Sequence, residues 1–149
     1  LMVDHMPTER WADYLRDTFR TAPHVPIAFI TGQKAKNTKR LLNHAQMLYK
    51  QSLSRVSTSE LNRLIKAALD LNPPPLFTGH RRPRIYYVSQ VATRPPTIVF
   101  FCNNPKAFSP TYQRYLLSVL RDQLEFGEVP IKMFFRKRES SDTRDELEK

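Results

Sequence analysis

Residues 83–105 read PRIYYVSQVATRPPTIVFFCNNP. Two runs in it, Arg84–Val91 and Thr97–Cys102, are rich in β-branched and aromatic side chains, the composition that suits a pleated, half-buried surface. Between them, Ala92-Thr93-Arg94-Pro95-Pro96 excludes regular strand, because proline has no N–H to give to a ladder. Asn103-Asn104-Pro105 ends the second run. The stretch predicts two strands joined by a proline turn, and two strands alone are marginal in water without something packed against them.

Helices stand on either side of this pair. Upstream, Ser57-Thr58-Ser59-Glu60 has the form of a capping box. Leu61, Leu64, Ile65, Ala68 and Leu69 follow at helical spacing. Asn72-Pro73-Pro74-Pro75 stops that helix, and residues to Pro83 form a loop. Downstream, Ser109-Pro110 is a helix start, serine as cap and proline at the first position. Tyr112, Tyr115, Leu116, Val119 and Leu120 line one face of the helix, and Gly127 is its expected stop. A third strand, Pro130–Arg136, puts Ile131, Met133 and Phe135 on one face and Lys132, Phe134 and Arg136 on the other. Residues 57–136 therefore read α-β-β-α-β. That is an α+β domain of KH-like pattern, a three-stranded sheet with both helices on one face.

The first third reads differently. A helix over Thr8–Thr21, capped by Thr8, carries Trp11, Ala12, Leu15 and Phe19, and stops before Pro23 and Pro26. Ile27-Ala28-Phe29-Ile30 is continuously apolar, as a parallel strand buried on both faces is. Thr31-Gly32-Gln33 turns the chain into a helix from about Asn37 to Leu53. A strand buried on both sides needs neighbours, and this segment supplies none, so it reads as the end of a larger α/β sheet. The chain opens on Leu1 rather than Met, as a fragment or a processed start would, with no basic leader or apolar segment of a signal peptide. The tail 138–149 mixes charges around one leucine and reads as disordered.

The chain has 149 residues and a net charge of +10. From Thr18 to Ser59, and again from Leu71 to Arg121, it contains no Asp or Glu but many Lys and Arg. Such stretches point to a polyanionic partner. A membrane surface fits less well, because the cations do not share one amphipathic helix. No apolar run approaches the ~20 residues of a membrane span. A single cysteine, Cys102, forbids an internal disulfide and fits a reducing, cytoplasmic compartment. Cys102 reads as a packing residue. His5, His24, His44 and His80 lack metal-ligand spacing. Tyr86 and Tyr87 are candidates for base stacking, although strict alternation would turn one of them toward the helices.

Three strings carry a family resemblance: RVSTSELNRLIKAAL (Arg55–Leu69), the 83–105 stretch, and FSPTYQRYLLSVLRDQLEFGEVPIKMFFRKR (Phe108–Arg138). Together they resemble the KH-like domain of the Der (EngA) double GTPases, in the tyrosine pair, the Arg-Pro-Pro-Thr turn, the Asn-x-Pro exit and the Tyr-x-Arg-Tyr-Leu helix. The resemblance implies a division into 1–55, the C-terminal portion of a GTPase domain, 56–137, the KH-like domain, and the tail 138–149. It implies a GTP-binding factor of large-subunit ribosome assembly, acting in the cytoplasm without a membrane. Its expected partners are ribosomal RNA and the other GTPase domain of the same protein.

GTP or GDP with Mg belongs to the parent family, and no cofactor is expected in this segment. Its three glycines, Gly32, Gly79 and Gly127, form no phosphate-cradling loop, so the segment is not expected to hydrolyse GTP. In the family a Ser-Ala pair after the last strand offers a backbone N–H to guanine. Thr31 and Gly32 stand there, as a guanine contact or as an ordinary turn. The family's KH-like domain lacks the GxxG clamp of standard KH domains, as does this sequence. Arg81, Arg82, Arg84, Arg94, Lys132, Arg136, Lys137 and Arg138 are the candidate contacts, either to RNA or to the partner GTPase domain, which the domain would sense without touching RNA.

Overall fold

The computed structural model describes residues 6–77 and 82–138. Arg81, Gly79, His5, His80 and the tail from residue 139, with the disorder expected of it, lie outside the described residues.

Helix α1 spans Thr8–Thr18, with Pro7 rather than Thr8 at its N-cap and no side-chain cap. Helix α2 spans Thr38–Leu53, entered through Asn37 at φ 66°, a left-handed conformation that asparagine tolerates better than most residues. Between them the expected strand does not form. Residues 27–30 run without a ladder, and the sole bridge nearby joins Thr31 to Lys36. Ile27 and Ile30 are 36% and 48% exposed. The physical reason is the one the apolar run itself raises: no described strand lies beside it to take its N–H and C=O groups. Neither α1 nor α2 buries a residue fully: Trp11, Leu15 and Leu48 are half-buried, and Tyr14, Leu41, Leu42 and Tyr49 stand exposed.

The rest forms around one core. Helix α3 spans Thr58–Leu71, strand β1 Ile85–Ala92 and strand β2 Thr97–Cys102. A 3-10 turn at Pro105–Ala107 leads to helix α4, Pro110–Gln123, and strand β3, Lys132–Lys137. The caps come from the residues that the sequence offers: Ser57 accepts from the Glu60 N–H and Ser109 from the Tyr112 N–H, both at 3.2 Å. The sheet order is β1-β2-β3, with β1 and β2 antiparallel and β2 and β3 parallel. A parallel neighbour requires a crossover, and α4 supplies it.

Val88, Ile98, Phe100 and Cys102 share the core with Leu61 and Ile65 of α3, Leu116 and Leu120 of α4, and Phe126 from the turn after α4, all with no more than 2% exposure. Each such side chain stabilises the fold by roughly 1.5–3 kcal/mol relative to exposure. Tyr112 and Tyr115 donate from their hydroxyls to the Asn72 and Ala68 carbonyls at 2.6 and 2.9 Å, satisfying the C-terminal end of α3.

Gly127 plays a part different from the expected helix stop. Helix α4 ends at Gln123, where Leu124 turns extended at φ −115°, ψ 152°. The chain then doubles back so closely that a Cβ on Gly127 would collide with the Arg121 carbonyl oxygen. Glycine is required there for close approach. The Arg121 guanidinium holds the same turn, donating to the Gly127 and Val129 carbonyls at 2.6 and 3.0 Å.

The α2 end is tied to this unit. Leu48 packs against the core. The Gln51 amide donates to the Glu128 carboxylate at 2.7 Å, and the Arg94 N–H donates to the Ser52 carbonyl at 3.0 Å. Gln90, buried in β1, accepts from the Val56 N–H and donates to the Ser54 carbonyl, both at 2.9 Å.

Candidate nucleic-acid interface

Strand register sorts the candidate cations into two groups. Ile85 pairs with Cys102, which pairs with Lys137. Arg82 and Arg84, just before β1, therefore share one end of the sheet with Arg136, Lys137 and Arg138. Ala92 pairs with Thr97, which pairs with Lys132, so Arg94 and Lys132 lie at the opposite end. Six residues of β2 separate the two ends by roughly 17 Å. The candidate cations thus fall into two clusters, with Arg81 beyond the described residues.

Asparagine and backbone fix the first cluster. The Asn103 side chain accepts from the Arg84 N–H at 2.9 Å and donates to the Arg82 carbonyl at 3.0 Å. Its own N–H donates to the Arg84 carbonyl at 3.0 Å. On the other side, Cys102 accepts at its carbonyl from the Arg138 N–H at 2.9 Å, and its thiol donates to the Arg136 carbonyl at 3.4 Å. Burial pushes the Cys102 thiol up, against a smaller opposing hydrogen bond from the Asn104 backbone, so the protonated, packing form is favoured. The Asn-x-Pro strand exit thus shapes the backbone beneath the cations, a role its sequence signal as a mere terminator does not convey.

Arg82, Arg84, Arg136, Lys137 and Arg138 are all exposed. Among the described residues both ion pairs lie on or beside α1, Arg16 with Asp13 and Arg20 with Asp17, and neither involves this cluster. The Arg138 guanidinium sits 5.4 Å from the Tyr86 ring centroid, reaching across the end of β2.

Alternation misleads at the tyrosine pair. The register shifts between Ile85 and Tyr87, a bulge that inserts one extra residue into β1. Ile85 then turns to the core, while Tyr86 and Tyr87 remain 43% and 40% exposed. Neither faces the helices.

Thr31 and Gly32, a guanine contact or an ordinary turn by sequence, follow the 27–30 run and precede α2. The Thr31 N–H already donates to the Lys36 carbonyl at 3.2 Å. A Cβ on Gly32 would meet open space. No glycine-rich loop exists here for phosphates, and no group of His, Cys, Asp or Glu among the described residues could hold a metal ion. His24 and His44 stand apart. Burial and then the nearby Arg121 charge lower the His24 pKa. Among the described residues no helix is long and apolar enough to cross a membrane.

An αββαβ unit with a mixed sheet, no GxxG loop and a cationic sheet end defines the chain as a KH-like domain protein. Residues 55–136 match the family described as the KH-domain-like of EngA bacterial GTPase enzymes, C-terminal, and the chain belongs to it. It is similar to the GTPase Der of Rhodopirellula baltica, 54% identical over 141 residues, 95% of this chain and 31% of that protein. The GTPase Der of Citrifermentans bemidjiense is 32% identical over 142 residues, 95% of this chain and 32% of its own length. That of Lactobacillus delbrueckii subsp. bulgaricus is 38% identical over 124 residues, 83% and 28%. The chain thus spans about a third of the length of the curated relatives it matches.

Proposed function

We propose that this chain is the C-terminal part of a cytoplasmic, GTP-switched factor in large-ribosomal-subunit assembly, whose KH-like unit docks on ribosomal RNA. The carrying observation is the cluster Arg82, Arg84, Arg136, Lys137 and Arg138, gathered by strand register at one sheet end without a carboxylate partner among the described residues. Phosphates are the ligand such a surface suits, and contact with them fixes position rather than sequence. Residues 1–55 fit the end of a GTPase domain, because α1, α2 and the 27–30 run leave apolar faces that an upstream sheet would cover. Gly32 then offers its amide to the guanine. GTP turnover itself needs the phosphate loop of the longer protein, and this segment alone shows none.

A second reading rests on length. The relatives are about three times longer than this chain, and the same cations suit docking against a second GTPase domain whose nucleotide state they would report. Salt titration of RNA binding separates the two. With about three to five phosphate contacts, affinity for structured rRNA falls by roughly one and a half to three decades per tenfold rise in salt. Arg82→Ala, Arg84→Ala and Arg136→Ala together flatten that slope and leave the melt unchanged. A triple variant that binds as the parent does at low salt removes RNA from this surface and favours the domain-docking reading.

A further inference from the structure

Residues on the sheet face away from the helices form a surface whose aromatic rings phosphate docking does not use. Register places Tyr87 beside Phe101, and Phe101 beside Arg136. The next row is Ser89, Val99 and Phe134, and the last contains Thr97 and Lys132. Tyr87 and Phe101 stack with ring centroids 4.3 Å apart and planes 15° from parallel. Phe134 is 47% exposed and Tyr87 40%. None of the three strands contains an Asp or Glu. The acids of this unit lie on α3, on α4 or in the turn after it. Apolar rings flanked by Arg136, Arg138 and Lys132, with no carboxylate between, complement a ligand that is flat and apolar in its middle and anionic along its edge.

We infer that this open face stacks unpaired bases of single-stranded RNA, with Tyr87 and Phe134 as the platforms and Arg136, Arg138 and Lys132 along the phosphates. It rests on the RNA-docking reading and adds bases to it. Every base has a π-face, so the surface is tolerant of sequence and selects unstacked RNA over duplex. The β1 bulge belongs to the device. It keeps both tyrosines outward, Tyr87 on Phe101 and Tyr86 under the Arg138 guanidinium. From Tyr87 to Phe134 the diagonal across the sheet is roughly 12 Å, wide enough for more than one base.

The test uses the whole chain with three probes of equal length: an unstructured RNA oligomer, its abasic counterpart with the same phosphates, and a duplex. The base-bearing strand should bind about tenfold or more tighter than the abasic one. Phe134→Ala and Tyr87→Leu should each lose about tenfold for the base-bearing strand, with abasic and duplex binding and the salt slope unchanged. Tyr87→Leu keeps an apolar contact with Phe101; should it fail to fold, Phe134→Ala, at a half-exposed site, carries the comparison. Salt-dependent binding that is equal for base-bearing and abasic strands, or unchanged in Phe134→Ala, overturns the stacking surface and leaves phosphate docking standing. Absence of binding to all three probes overturns both.

Discussion

The Asn62 side chain pairs with Val88 as a neighbouring strand would: its Nδ2 donates to the Val88 carbonyl and its Oδ1 accepts from the Val88 N–H, both at 2.8 Å. Strand β1 is an edge strand, and α3 lies over it. The amide therefore satisfies two groups that water reaches poorly, and it blunts an edge that would otherwise template pairing with another chain. Asn62→Leu should cost about 2–3 kcal/mol, because both Val88 groups lose their partners. Asn62→Asp should fall between, since a carboxylate accepts but cannot donate. Thermal melts would measure the losses, and light scattering at the melt would report any gain in self-association.

Gly127 is held to its identity by space. Gly127→Ala drives a methyl into the Arg121 carbonyl oxygen, a backbone atom with little freedom to retreat. The turn must shift, and the Arg121 bonds to the Gly127 and Val129 carbonyls loosen with it. A loss of about 2 kcal/mol or more is expected, as for other overpacked sites. A melting temperature within a degree of the parent would show that the turn adapts freely.

How far the sequence carried the fold depends on where the information lay. Strand β2 falls on Thr97–Cys102 as its composition implies, and Ser57 and Ser109 cap the helices they precede. Those signals are local. The β1 bulge is not written in any period, because one inserted residue leaves composition unchanged while leaving both tyrosines exposed. The apolar run 27–30 forms no ladder, because no described strand pairs with it. Among the site residues, the arginines were visible one by one. Their division between the two sheet ends follows only from the Ile85–Cys102–Lys137 register.

Gln90 tests how firmly α2 is joined to the KH-like unit. Only 8% exposed, it accepts from Val56 and donates to Ser54 and Ala92. Gln90→Leu preserves volume and leaves the Val56 N–H and Ser54 carbonyl unanswered. About 2 kcal/mol should be lost, and amide exchange should rise at residues 54–56 before it rises in β2.

Residues 56–137 alone should still melt cooperatively, since the α3, α4 and sheet core is contained within them. Their melting temperature should sit below that of the whole chain, because Leu48, Gln51 and Ser52 no longer pack or bond. Residues 1–55 alone should show no cooperative melt, as α1 and α2 bury nothing fully. A cooperative transition in that piece would mean its helices form a core of their own.

Tyr112 makes stability depend on alkaline pH. Its ring is buried and its hydroxyl donates to the Asn72 carbonyl at 2.6 Å, an arrangement only the protonated phenol can keep. Burial, with a smaller contribution from neighbouring Tyr115, pushes its pKa up to about 12 from an ordinary 10.0. The folded state therefore holds this proton more tightly than the unfolded chain does. The contribution is fully present below pH about 10 and is lost between there and about 12, as the unfolded phenol ionises and the folded one resists. The total is on the order of 2 kcal/mol. Lysines titrate in the same window, so the parent must be compared with Tyr112→Phe at each pH. Near neutrality the variant should be less stable by about 1 kcal/mol, having lost the bond to Asn72. From pH 9 upward the parent should lose stability faster than the variant, and the gap should close and then reverse. Parallel curves for the two proteins through that range would mean that the Tyr112 hydroxyl meets water in the folded state.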